Sequence, residues 1–161
     1  MPDDFKMIWD TDLMEGNLDV LPFGGDLTHD GGIETAVLMS LFTDRRARDD
    51  DKLLDIDFRD KKGWWGDLVS PDVDGDEIGS RLWLLSRSKT TEEALVRAKE
   101  YSKEALQWMI DDKVASSIDI STERMLDKPD GWMGIKIKII KTNEEKLHLR
   151  YNIQWSAQSK S

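Results

Sequence analysis

Ile135-Lys136-Ile137-Lys138-Ile139-Ile140 and Leu147-His148-Leu149-Arg150-Tyr151-Asn152-Ile153-Gln154-Trp155 are the two runs on which the reading of the fold turns. Successive side chains on a strand point to opposite faces, so each run sorts apolar residues to one side and polar residues to the other. The Asn143–Glu145 segment between them reads as a turn, and Lys128-Pro129-Asp130-Gly131 reads as another upstream. Before that turn, Ile118 and Ile120 alternate with Asp119 and Ser121. Three antiparallel strands with one wet face follow from this pattern.

Upstream of the strands the period changes. Thr90-Thr91-Glu92-Glu93 reads as a capping box. Leu95, Ala98, Tyr101, Ala105 and Met109 then recur at helical spacing, which predicts a helix from 91 to about 112. Ser80–Arg87 reads as a short helix carrying Leu82, Trp83 and Leu85. Apolar residues at 33, 36, 37, 38, 41 and 42 predict a helix buried on most sides, with Asp30 as its N-cap and Glu34 in the first turn. Phe5, Met7 and Trp9 alternate with Lys6, Ile8 and Asp10, and with the Glu15-Gly16-Asn17 turn and the Leu18–Leu21 run they predict an N-terminal hairpin. Pro22-Phe23-Gly24-Gly25 interrupts regular structure. Residues 44–79 form a long irregular acidic loop, and loops of that length inside a domain are usually functional. The expected fold is α+β over a single domain, residues 1–161: an N-terminal β-hairpin and two or three helices packed on a C-terminal three-stranded antiparallel meander.

Composition narrows the function. The 161-residue chain carries a formal net charge of −10, which disfavours binding to nucleic acid or to an anionic membrane. Residues 1–80 hold 21 Asp and Glu against 8 Lys and Arg, or −13, whereas residues 81–161 hold 12 against 15, or +3. Such polarity suits stacking against neighbours of complementary charge, although a solvated surface is the simpler reading. Seven Trp argue for an ordered chain. Cysteine is absent, which excludes disulfides, thiolate zinc sites and cysteine nucleophiles. No secretory signal or membrane span is expected.

The candidate chemical motifs fail one at a time. Asp72-Val73-Asp74-Gly75-Asp76-Glu77 resembles the opening of a calcium loop, but its glycine falls at the fourth position instead of the sixth, and Trp83 stands where the bidentate Glu belongs. Glycoside hydrolysis needs two carboxyl groups at a set separation, and among 33 acidic residues no such pair stands out. His148 lies at an outward-facing strand position among polar residues and His29 reads as lying in a loop, and no Gly-x-Ser-x-Gly elbow occurs. Neither Gly24-Gly25 nor Gly31-Gly32 is followed by the Lys-Ser/Thr of a phosphate loop. Arg45, Arg46 and Arg48 are interleaved with Asp44 and Asp49–Asp51. No enzyme and no cofactor is expected.

The glycine-flanked pair Trp64-Trp65 is more informative. Adjacent side chains diverge, so either one indole enters the core while the other anchors an interface, or both fold back over the helices. Arg81 reads as a structural arginine forking onto carboxylates of the acidic loop.

Three segments taken in order carry a resemblance: Ser40-Leu41-Phe42-Thr43-Asp44-Arg45-Arg46, Gly63-Trp64-Trp65-Gly66-Asp67 and Gly79-Ser80-Arg81-Leu82-Trp83-Leu84-Leu85. With Ala105-Leu106-Gln107-Trp108-Met109, they make the chain resemble the Mu-like phage gp-forty-six family over about residues 7–155. The resemblance implies a structural baseplate wedge protein of a contractile tail, similar to the gp-twenty-five-like sheath initiators. It further implies six copies per particle, wedge, hub and tail sheath proteins as partners, and a place in the virion after assembly in the host cytoplasm. Some of those relatives carry a lysozyme label, so a peptidoglycan-cleaving hydrolase is one alternative and a calcium-binding module is another. Relatives also carry a Glu-Pro-Arg tripeptide that this sequence lacks; Arg81 is the residue that would stand in for its arginine.

Sheath-like proteins of such tails link by donating extended arms to a neighbour's sheet edge, and the resemblance implies the same use here. The strands Ile135–Ile140 and Leu147–Trp155 would offer an open edge, kept soluble by Lys136, Lys138 and Lys141. Trp64, Trp65, Asp67, Arg81 and Trp83 would join Lys136 and Lys138 as partner-contact residues.

Overall fold

The computed structural model describes the backbone of residues 4–5, 7–10, 15–18 and 29–30, and residues 32–51, 78–85, 90–128 and 131–154 with their side chains. Element order is β1 (Asp4–Phe5), β2 (Met7–Asp10), β3 (Glu15–Leu18), β4 (His29–Asp30), α1 (Ile33–Phe42), a 3-10 turn (Leu82–Leu85), α2 (Glu92–Asp111), β5 (Ala115–Arg124), β6 (Trp132–Lys141) and β7 (Lys146–Gln154). The architecture is α+β, as the two hydrophobic periods require.

The meander has the order β5-β6-β7, antiparallel throughout. Its register lines up three apolar rungs: Ile118–Ile139–Leu147, Ile120–Ile137–Leu149 and Thr122–Ile135–Tyr151. Between them stand the wet rungs Asp119–Lys138–His148, Ser121–Lys136–Arg150 and Glu123–Gly134–Asn152. A slip of one residue would exchange the two sets, so burial of the isoleucines specifies the register. Lys136 and Lys138 therefore stand on the central strand, flanked on both sides. This corrects the expectation that they guard an edge: β6 has none, and the strand ends of the sheet are β5 and β7.

Helix α2 covers the apolar face beside β5, burying Ala94, Leu95, Ala98, Tyr101, Ser102, Ala105, Leu106 and Met109. Thr122 Oγ1 donates to the Leu95 carbonyl at 2.8 Å, which ties helix to strand. The helix starts one residue later than the capping box assumes. Thr91 is the N-cap and accepts from the Ala94 N–H, so Glu93 falls outside the reciprocal position and pairs with Arg97 at 2.7 Å instead. The far end is a Schellman turn: Val114 N–H reaches the Met109 carbonyl and Lys113 N–H the Ile110 carbonyl. That turn needs a left-handed residue, here Lys113 at φ 59.

Helix α1 buries Val37, Leu38, Ser40 and Leu41, and its Phe42 meets Tyr151 of β7 edge-on at 5.6 Å. Asp30 is not its N-cap. Asp30 pairs with Asp4 in the β1–β4 ladder, and Gly32, at φ 79, makes the turn into the helix. The N-terminal hairpin is present as β2 paired with β3, but Glu15, Gly16 and Asn17 lie within β3 instead of forming the turn.

Candidate functional site

Two of the segments that carried the resemblance meet in space. Ser80 N–H donates to the Thr43 carbonyl and Arg45 N–H to the Ser80 carbonyl, each at 2.9 Å, in a parallel bridge between Asp44 and Ser80. The Ser80 hydroxyl donates to the Leu41 carbonyl, and Trp83 Nε1 donates to the Arg45 carbonyl at 2.7 Å. Carbonyls that helix α1 and its exit would leave unmatched thus find donors in the segment 80–83. Gly79 makes the approach possible. Its φ is +102, and a Cβ there would stand 2.3 Å from the Thr43 carbonyl oxygen.

Arg81 lies at the centre of this junction with 8% of its surface exposed. Its Nη1 donates to both oxygens of Asp51, at 2.7 and 2.9 Å, and its Nη2 to Glu104 of α2 at 2.8 Å. The face of the Tyr101 ring lies 4.6 Å from the guanidinium carbon. Arg48 holds the other oxygen of Glu104 at 2.7 Å, and its own N–H donates to Asp51. Burial works against the Arg81 charge, but the hydrogen bonds to Asp51 and Glu104 outweigh it and hold the pKa above the ordinary arginine value. Burial also raises the Tyr101 hydroxyl. The result is a clamp fixing residues 44–51 against α2.

The arginine expected to fork onto loop carboxylates does so, and Asp51 is the loop carboxylate it takes. Arg81 and Trp83 are interior residues that hold the loop in place. Trp64, Trp65 and Asp67 lie outside the described residues, as does the Asp72–Glu77 motif. Among the described residues, no group of three or more His, Asp or Glu side chains is placed to hold a metal ion, and no helix is long and apolar enough to cross a membrane.

The second polar arrangement is the wet face of the meander. Glu123 lies over Gly134, with its Cγ 3.3 Å from where a Cβ would be, and so reaches both Lys136 at 2.9 Å and Arg150 at 3.1 Å. The missing side chain at Gly134 lets a β5 carboxylate reach a β7 guanidinium across the sheet. Beside this pair is a shallow depression of about 260 Å³ lined by Asp119, Ser121, Lys136, Lys138, His148 and Arg150.

Strand β7 pairs with β6 alone among the described residues. Lys141 N–H donates to the Glu145 carbonyl, which makes 141/145 a hydrogen-bonded position. Counting along the register, Leu147, Leu149, Tyr151 and Ile153 direct their backbone groups to β6, and His148, Arg150 and Asn152 direct theirs outward.

An α+β protein with a tightly clamped helix–loop junction and a long strand paired on one side among the described residues is thereby defined. The chain belongs to the Phage protein GP46 family, whose model matches residues 33–146, a span that includes the clamp and most of the meander. It is 40% identical over 136 residues to "Baseplate protein gp46" of Escherichia phage Mu, covering 84% of this chain and 86% of that protein. It is also 40% identical over 91 residues to "Mu-like prophage FluMu protein gp46" of Haemophilus influenzae, covering 56% of this chain and 57% of that protein.

Proposed function

We propose that the chain is a structural subunit of a contractile-tail baseplate that accepts an extended arm of the tail sheath protein on β7. The baseplate role is supported by the likeness to the phage Mu protein over most of both chains. The observation that carries the arm-accepting reading is the outward-directed backbone of His148 and Arg150 on a nine-residue strand with a neighbour on one side only among the described residues. An added strand would satisfy those groups with main-chain hydrogen bonds. Strand β5 is the poorer edge. It is interrupted by a bulge near Ala115–Ser117, where Ser116 Oγ turns back to the Ile140 carbonyl, and α2 lies against it. Contacts of residues 44–79, including Trp64, Trp65 and Asp67, with wedge and hub proteins complete the proposal, as do six copies per particle.

His148→Pro tests the edge directly. It removes an outward N–H and leaves the β6–β7 ladder whole, because proline is tolerated on an edge strand where its nitrogen faces away from the neighbour. The variant is expected to fold with unchanged circular dichroism and to halt tails at the baseplate stage, without sheath. Normal sheathed tails from this variant would refute arm acceptance on β7.

A further inference from the structure

We infer that the segment received by β7 is an extended strand alternating apolar and acidic residues, contributed by a different protein. The inference rests on the arm-accepting reading above and specifies the chemistry of the arm. It starts from a charge arrangement that the three-stranded sheet leaves unbalanced. Acidic residues of the wet face, Asp119 and Glu123, stand on β5, whereas Lys136, Lys138, Lys146 and Arg150 stand on β6 and β7. Register sets Lys136 directly opposite Arg150 and Lys138 directly opposite His148. Both are non-hydrogen-bonded pairs, in which side chains approach most closely, and the Lys136 and Arg150 charges so placed repel. Glu123 partly offsets the first pair by lying across Gly134. Neither Lys138, Lys146 nor His148 makes an ion pair among the described residues. A fourth strand with carboxylates opposite His148 and Arg150 would close the rungs Asp119–Lys138–His148 and Ser121–Lys136–Arg150 with an acidic member.

The opposite face specifies the other half of the pattern. Tyr151 and Ile153 are buried, but Leu147 and Leu149 remain half-buried at the end of rungs whose central members, Ile139 and Ile137, are 0% and 2% exposed. Apolar residues on the incoming strand would cover those two leucines and extend both rungs by one position. A second copy of this chain fits poorly. Two β7 strands placed side by side would set Lys146, His148 and Arg150 against the same basic row.

Three capped nonapeptides test the inference, each alternating valine with glutamate, glutamine or lysine, titrated onto the full chain by calorimetry at low salt. The glutamate peptide is expected to bind about tenfold more tightly than the lysine peptide, with glutamine between, as two cross-strand charge pairs imply. The spread should shrink at high salt. A Lys146→Glu/His148→Glu double variant leaves the Glu123–Arg150 pair in place and should reverse the order. Equal binding of the three peptides would leave arm acceptance standing and overturn the acidic pattern. Binding of none would overturn both. A concentration-dependent dimer of the chain in sedimentation, lost in the double variant, would assign β7 to a second copy and overturn the proposal.

Discussion

Replacing Arg81 with methionine keeps most of the side chain's volume and removes its charge and its fork. Asp51, whose side chain is 10% exposed, then loses both of its short contacts to Nη1. Breaking a buried pair by removing one partner costs roughly 3–5 kcal/mol, because the remaining charge stays desolvated. Glu104 suffers less, since Arg48 at 2.7 Å and Arg45 at 3.6 Å still neutralise it. Loss of the cation–π contact with Tyr101 adds up to about 1 kcal/mol. With some repacking around the methionine, a net loss of about 3 kcal/mol follows, a large share of the ~5–15 kcal/mol that holds a domain together. At roughly 2–4 °C per kcal/mol for a chain of this size, the melting midpoint should fall by about 6–12 °C. Urea unfolding followed by tryptophan fluorescence reads the same quantity as a lower midpoint with unchanged slope. The double variant Arg81→Met/Asp51→Leu should recover most of the loss, because it removes both charges together. A single variant within about 0.5 kcal/mol of the parent, or a double variant no better than the single, would refute the clamp as a stabilising unit.

Other outcomes follow from the same geometry. Gly79→Ala should destabilise by at least about 2 kcal/mol in thermal melts, since it combines a left-handed backbone with a Cβ 2.3 Å from the Thr43 carbonyl oxygen. Lys113→Gly should act in the other direction, raising stability by roughly 1 kcal/mol by relieving the side-chain penalty at φ 59. Glu123→Gln should change stability by less than about 1 kcal/mol in moderate salt, because its partners Lys136 and Arg150 are half exposed. Burial, with the Glu34 charge second, raises the Tyr151 hydroxyl above its ordinary value of 10.0. Its contribution to stability is therefore complete below pH 10 and is lost as pH rises toward the folded-state value; Tyr151→Phe should flatten the alkaline limb of the stability–pH profile.

The meander was legible because period two over nine or ten residues has no helical rival, and the turns flanking Ile135–Ile139 bound it. The meander expected from the sequence already puts its second strand in the middle, so of the two strands read as offering an edge only the last, β7, can do so, and Lys136 and Lys138 stand on the central β6. The clamp was half legible. Arg81, just ahead of Leu82-Trp83-Leu84-Leu85, read as a structural arginine for the acidic loop, but three consecutive aspartates at 49–51 gave no means of choosing Asp51. Glu104 was hidden as one more acidic residue on a charged helix, although Tyr101 and Glu104 are three apart on neighbouring turns and so share a face. Gly134 held an unused signal: a glycine inside a strand marks a close approach, here that of Glu123. Cap positions failed for a local reason, since Asp30 belongs to a ladder and Thr91 outcompetes Thr90 by one residue.

Amide hydrogen exchange on β7, compared between the free chain and the assembled tail, tests arm acceptance most directly. In the free chain the N–H groups of His148 and Arg150 should exchange fast and those of Leu149 and Tyr151 slowly, as the alternating directions of the ladder require. In the tail all four should become slow. Fast exchange at His148 and Arg150 in complete sheathed tails would mean that no strand joins this edge.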